Sequence, residues 1–352
     1  IVTLSLLTQM VFAINVTINL QDSDGNPLSG GTLQYRDGSW STATETSTGV
    51  FTATISGTNS VEYRMTYNNA RQSITKPGTV TTVSFQTVTV DPALEDSDGN
   101  DLASGYYKFY GNNWSGDLTP NTDIELLPGT YRFRMEYNSA RQEKTGITIN
   151  PVPSQKVSFQ TVTVDPALED SDGNDLTGGS YKFEENSWSG SLTPNTNIEL
   201  LPGTYEFRME YNNARQEKTG ITNNPVASQQ VLFQTVTVTV SIEDCNNNPL
   251  SGGNVQHYGN NWSSKYSANN QHEMLPVSYD FRMYFNDARK EKTETILASN
   301  NSQEVRFQAT KVNFVYNGTV KYYGTGWGVY TQGMYLLPDT YKFRFDNYEK
   351  QL

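Results

Sequence analysis

One feature limits this chain more than any other: it repeats itself, and self-similarity at a fixed period is the signature of a tandem array. The segment VTVDPALEDSDGNDL begins at Val88 and again at Val162. The segment IELLPGTYRFRMEYNSARQEKTGIT begins at Ile124, and a near-copy begins at Ile198. VSFQT at Val83 and Val157, and VLFQT at Val231, close three units. The repeats therefore run over residues 16–87, 88–161, 162–235, 236–310 and, shortened, 311–352, with residues 1–15 as an arm before the first. Each repeat holds one tryptophan in an equivalent place: Trp40, Trp114, Trp188, Trp262 and Trp327.

Within a repeat the pattern has a period of two. Tyr205, Phe207, Met209 and Tyr211 alternate with Glu206, Arg208 and Glu210, which predicts a strand with one buried face. Val16, Ile18 and Leu20 alternate with Thr17 and Asn19 in the same way. Asp24-Gly25, Asp98-Gly99 and Asp172-Gly173 suit tight turns that need positive φ, and Leu127-Pro128-Gly129 marks a further turn. No segment shows the 3.6-residue period of a helix. About seven short strands per unit predict an all-β array of small Ig-like sandwiches, the last of them incomplete.

The run Asp22-Ser23-Asp24-Gly25-Asn26-Pro27-Leu28-Ser29-Gly30-Gly31, followed later by a Leu-Pro-Gly-Thr-Tyr turn such as Leu201–Tyr205, resembles the Ig-like sandwiches of bacterial surface proteins. It is most similar to the carboxypeptidase-regulatory-like or Cna-B-like group. The resemblance covers repeats one to four, while the fifth lacks the Asp-Gly turn. It implies an extracellular or cell-surface setting. Some Cna-B-like domains carry a Lys–Asn isopeptide bond; the first strands of repeats two and three hold no Lys, so the bond is not carried over. Neighbouring repeats join without a Gly/Ser spacer, as where Gln160-Thr161 runs into Val162, so stiff joints and a rod are expected.

Composition narrows the function. The net charge of −12 disfavours nucleic acid and anionic lipid as partners, and no membrane span is expected. Cys245 is the single cysteine, so no intrachain disulfide forms, and with only His257 and His272 beside it a Cys/His zinc site is excluded. No Ser-His-Asp or Cys-His constellation is recognisable, and acidic residues recur with the repeat as a solvated face would. No enzyme activity is expected, and no cofactor.

The two ends do not match. The fifth repeat has only seven residues after Phe345, where earlier repeats continue to a closing strand such as Val231–Thr235. In the arm, Val2, Leu4, Leu6, Met10 and Phe12 share one parity, a β pattern with no domain of its own. The simplest reconciliation is donation in trans. The arm fills the gap in the fifth repeat of the next subunit, against Val312, Phe314, Val320, Tyr322, Tyr341, Phe343 and Phe345. Such a contact builds a head-to-tail homopolymer, a self-assembling extracellular fibril. Two rivals stay open: a stalk segment of a larger surface adhesin, and a carbohydrate-binding array. Leu4–Ala13 also reads as a signal-peptide remnant.

Three smaller patterns remain. Asp96, Asp98 and Asn100, with Asp170, Asp172 and Asn174, resemble the start of a calcium loop, although the distal bidentate Glu is missing and a tight turn explains the same residues. The recurring Trp, with Tyr106, Tyr107 or Tyr110, reads as a sugar platform or, more in line with its size, as core. Asn15, Asn113, Asn261, Asn300 and Asn317 fit the glycosylation pattern, and Asn113, Trp114, Asn261 and Asn317 are the candidates for glycan contact or attachment.

Overall fold

Alternation in the sequence becomes strand throughout. The structure is a computed structural model describing residues 13–57, 59–223, 228–316, 318–345 and 348–351, with 221–223 and 348–351 by backbone alone. Among the described residues there is no helix. By contact density the chain divides into two compact units: Ile1–Thr163 with Glu199–Gly203 and Asn223–Ala227, and Val164–Ile198 with Thr204–Thr222 and Ser228–Leu352.

In the first unit the opening strand Ile14–Gln21 lies between two neighbours. It pairs antiparallel with Val50–Ile55 and parallel with the closing strand Thr82–Gln86, setting Ile18 beside Val83 and Leu20 beside Phe85. A second layer places Val61–Tyr67 between Thr32–Asp37 and Ala70–Lys76. Ser39–Ser47 pairs with a strand of each layer, so the seven strands form one continuous order. The second repeat has the same plan in separate sheets. Its opening strand is broken into Val88–Asp91 and Leu94–Glu95, because Pro92 has no N–H for the ladder. The closing segments Ser154–Lys156 and Phe159–Gln160 again run parallel to it.

The second unit repeats the plan. Leu168–Glu169 runs parallel to Phe233–Gln234, and the unbroken Val236–Glu243, with no proline inside it, runs parallel to Ser302–Gln308. The apolar parity of each central strand faces inward: Tyr131, Phe133 and Met135, or Tyr205, Phe207 and Met209, are all buried. Each such side chain contributes roughly 1.5–3 kcal/mol on burial.

The hairpin after each central strand is closed by a turn the sequence reading did not flag. Asn68-Asn69, Asn138-Ser139, Asn212-Asn213 and Asn286-Asp287 all have positive φ at both positions. That is the backbone of a two-residue turn matching strand twist, and Asn tolerates it better than most residues.

The fifth repeat differs. Thr310–Lys311 pairs antiparallel with Tyr335–Leu336. Val320–Tyr323 lies between Trp327–Val329 and Lys342–Phe345. A strand not assigned from the sequence, Tyr348–Gln351, pairs with Lys342–Phe345. It takes the place that Ala288–Thr295 holds beside Ser278–Phe285, not the place of a closing strand.

Candidate functional site

A feature missed in the sequence recurs where one repeat passes into the next. Glu125 is half-buried and receives four donors. Ser23 gives its N–H at 3.2 Å and its hydroxyl at 3.2 Å, Thr89 gives its hydroxyl at 2.6 Å, and the buried Thr87 hydroxyl completes the set. Hydrogen bonds to a charged acceptor are the stronger kind. The same unit contains a second copy, with Glu199 held by Ser97, Thr161 and Thr163. The second unit holds a third, with Glu273 taking bonds from Ser171, Thr235 and Thr237. The backbone takes part: Thr87 N–H donates to the Gln21 carbonyl and Thr235 N–H to the Glu169 carbonyl, each at 2.9 Å. The only sequence signal was the period itself, since serine, threonine and glutamate recur at these places without an enzymatic reason.

An asparagine marks each joint. The side-chain amides of Asn68, Asn138 and Asn212 donate to the carbonyls of Glu125, Glu199 and Glu273 at 2.9, 3.0 and 2.9 Å. Asn286 donates likewise at 2.8 Å, but to Tyr335. At this fourth joint the carboxylate is therefore absent, and Ala309 and Lys311 stand where the threonines do. Cys245 stands at the serine position and is exposed. Tyr322 takes over part of the linkage, its hydroxyl donating to the Asn286 carbonyl at 2.8 Å; burial and the nearby Asp287 push that phenol up to about 12.

The seven residues expected to receive a strand are divided by the fold. Val320, Tyr322, Tyr341 and Phe343 are buried in the fifth repeat's own core. Val312, Phe314 and Phe345 are half-buried along its opening side. There Phe314 packs against Phe343 at 4.6 Å, Tyr330 at 4.9 Å and Phe345 at 5.5 Å, and Tyr316 against Phe345 at 5.1 Å between ring centroids. Val315 is fully exposed. Val2, Leu4, Leu6, Met10 and Phe12 lie outside the described residues, as does Asn317.

The tryptophans are not core, contrary to the reading their size favours. Trp40, Trp262 and Trp327 are 37%, 37% and 47% exposed, and Trp114 and Trp188 are half-buried. The cause is a turn. The Ser115 hydroxyl accepts the Phe109 N–H at 3.0 Å and donates to the Gly116 carbonyl at 2.9 Å, which holds Trp114 on the outer sheet face. Ser189 and Ser263 do the same for Trp188 and Trp262. Ser115 and Ser263 are also the third residues of the Asn113 and Asn261 glycosylation patterns, whose asparagines are exposed.

The proposed calcium ligands form self-satisfied turns. Asp96 accepts N–H bonds from Asp98 and Asn100 at 2.9 and 2.8 Å, and the Asn100 amide reaches its other oxygen at 3.0 Å. The bond from the Asn100 side chain is the largest of several that hold its carboxyl below the usual range. Asp170 is held the same way by Asp172 and Asn174. Among the described residues no cluster of three or more His, Cys, Asp or Glu side chains is arranged to hold a metal. Among the described residues no helix is long and apolar enough to cross a membrane.

No family profile matches the chain, and no curated protein does. Among solved structures it is similar to the major pilin subunit BcpA of Bacillus cereus, at 10% identity over 63% of this chain and 99% of that one, with a TM-score of 0.20. It is similar to the pilus adhesin SpaC of Lactobacillus rhamnosus GG, at 9% identity over 82% and 58%, with a TM-score of 0.23. A streptococcal ancillary pilin matches at 13% identity over 62% and 98%, with a TM-score of 0.19. At such scores the chains do not superpose as wholes. The all-β repeat character of this chain stands on its own strand order.

Proposed function

We propose that the chain is a structural subunit of an extracellular surface fibre, and that its fifth repeat takes the N-terminal arm of a second copy as a closing strand. One observation carries the reading. In repeats one to four the opening strand has a parallel neighbour, seen in Leu20 beside Phe85, Leu94 beside Phe159, Leu168 beside Phe233 and Ile242 beside Phe307. In the fifth, Thr310–Lys311 has an antiparallel neighbour and, among the described residues, no parallel one. An open edge beside half-buried Phe314 and Phe345 invites strand addition.

Residues 1–13 suit that edge of the fifth repeat by position and by pattern. They stand directly before the opening strand Ile14–Gln21, as Val83–Thr87 stands before Val88. Met10 and Phe12 reproduce the apolar-x-Phe spacing of Val83 and Phe85. The donated strand would run parallel to Thr310–Lys311, and because donor and acceptor are different surfaces of one chain the contact propagates.

The test compares the full chain with a chain lacking residues 1–13, by electron microscopy and sedimentation. Filaments from the first and monomers from the second are expected. A peptide of residues 1–13 should raise the melting temperature of the shortened chain. Equal assembly by both chains rejects donation, and solitary full-length chains favour a stalk within a larger surface protein.

A further inference from the structure

Repeats two and three are near-copies, whereas one, four and five have diverged, so a position unchanged in all five carries information. Strand register supplies the equivalences. Opposite Met65, Met135, Met209, Met283 and Phe345 stand Leu33, Tyr107, Tyr181, Val255 and Val320, so this core slot varies. One residue away on the outer face, Arg64, Arg134, Arg208, Arg282 and Arg344 do not vary. The tryptophan does not vary either. Packing alone produces the opposite pattern, a fixed core and a drifting surface.

In the first four repeats the two invariant residues touch. The guanidinium carbon lies 3.9 Å from the ring centroid for Arg64 on Trp40, 4.5 Å for Arg134 on Trp114, 4.0 Å for Arg208 on Trp188 and 3.9 Å for Arg282 on Trp262. In the middle repeats the guanidinium is fixed in turn by Glu143, Glu217 or Glu291, at 3.1, 2.8 and 2.8 Å. In three repeats an exposed tyrosine leans on the same indole: Tyr110, Tyr258 and Tyr323, with centroids 5.5, 5.3 and 5.3 Å away.

We propose that each of these four Trp–Arg pairs is a subsite for one ring of a neutral hexose polysaccharide. A pyranose presents a flat C–H face to an aromatic ring and hydroxyls at its rim. Here a partly exposed indole, with the guanidinium over one of its faces, stands beside fixed donors on Arg and fixed acceptors on Glu, the combination that orients a ligand with both apolar and polar edges. The Arg–Glu pair has no net charge and the chain carries −12, so an acidic glycan gains nothing from the site as a whole. A single aromatic pair per repeat falls far short of the ~800 Å² per partner of a stable protein interface. Weak single sites gain from repetition on one chain.

The test applies the full chain to an array of neutral and acidic glycans, beside a triple variant Trp114→Ala, Trp188→Ala, Trp262→Ala and a second with Tyr at the same places. The chain should retain neutral hexose oligosaccharides. Retention should fall about tenfold or more in the alanine variant and persist in the tyrosine one, with melting unchanged. A retained oligosaccharide should also shift the tryptophan emission of the unmodified chain, a readout independent of whether a variant folds. No retained glycan, retention confined to acidic glycans, unaltered emission, or a loss only of side-by-side association between chains would each overturn the proposal.

Discussion

Both histidines of this chain stand in the fourth repeat. His257 occupies the slot held by Phe109 and Phe183, opposite Phe281. Its Nε2 lies 3.0 Å from the Asn212 carbonyl, and a carbonyl only accepts, so this nitrogen carries the proton. Its Nδ1 faces the Tyr266 hydroxyl at 3.3 Å, and the Tyr266 ring packs against His272, centroids 4.0 Å apart and planes tilted by 52°. Burial, first of all, holds both imidazoles below their ordinary value. The folded state therefore takes up protons less readily than the unfolded one. Stability is full above the usual histidine range and declines as pH falls through it. The fourth repeat should melt lower at about pH 5.5 than at about pH 7.5, and His257→Phe should remove most of that difference. Glu273→Ala strips the joint hydroxyls of Ser171, Thr235 and Thr237 of their shared acceptor. A cost of about 1–3 kcal/mol is expected in denaturant unfolding, against roughly none for a fully solvated glutamate.

At the scale of the element, the turn and the closing strand do most to fix each repeat. Asn212 has a φ of 45° and also sends its amide to the Glu273 carbonyl. Asn212→Gly keeps the backbone and loses the bond, at about 0.5–1.5 kcal/mol. Asn212→Ala loses both, and the left-handed conformation adds about 1–2 kcal/mol, so the pair of variants separates bond from strain in equilibrium unfolding. In the third repeat the closing segment Phe233–Gln234 is short and is anchored by one aromatic residue. Phe233, fully buried, contributes two paired residues with Gln234. Phe233→Ala should cost about 3–5 kcal/mol.

At the scale of the molecule, each repeat buries its own core and meets its neighbours through short joints, so unfolding should proceed in stages rather than as one transition. Hydrogen exchange should show weaker protection at Thr310–Lys311, paired on one side, than at Val236–Glu243, paired on both, and protection there should rise on assembly. The sequence by itself determined the repeats, the strands and the buried parity of residues such as Tyr205, Phe207 and Met209, because alternation and turn chemistry are written in neighbouring residues. Only the tertiary structure decided which strands run parallel, that the tryptophans lie outside under arginine, and that Ser23 and Glu125, 102 residues apart, share a hydrogen bond at a joint that Cys245, Ala309, Lys311 and Tyr335 do not reproduce. Those contacts depend on through-space geometry between distant segments, and local periodicity carries no record of it.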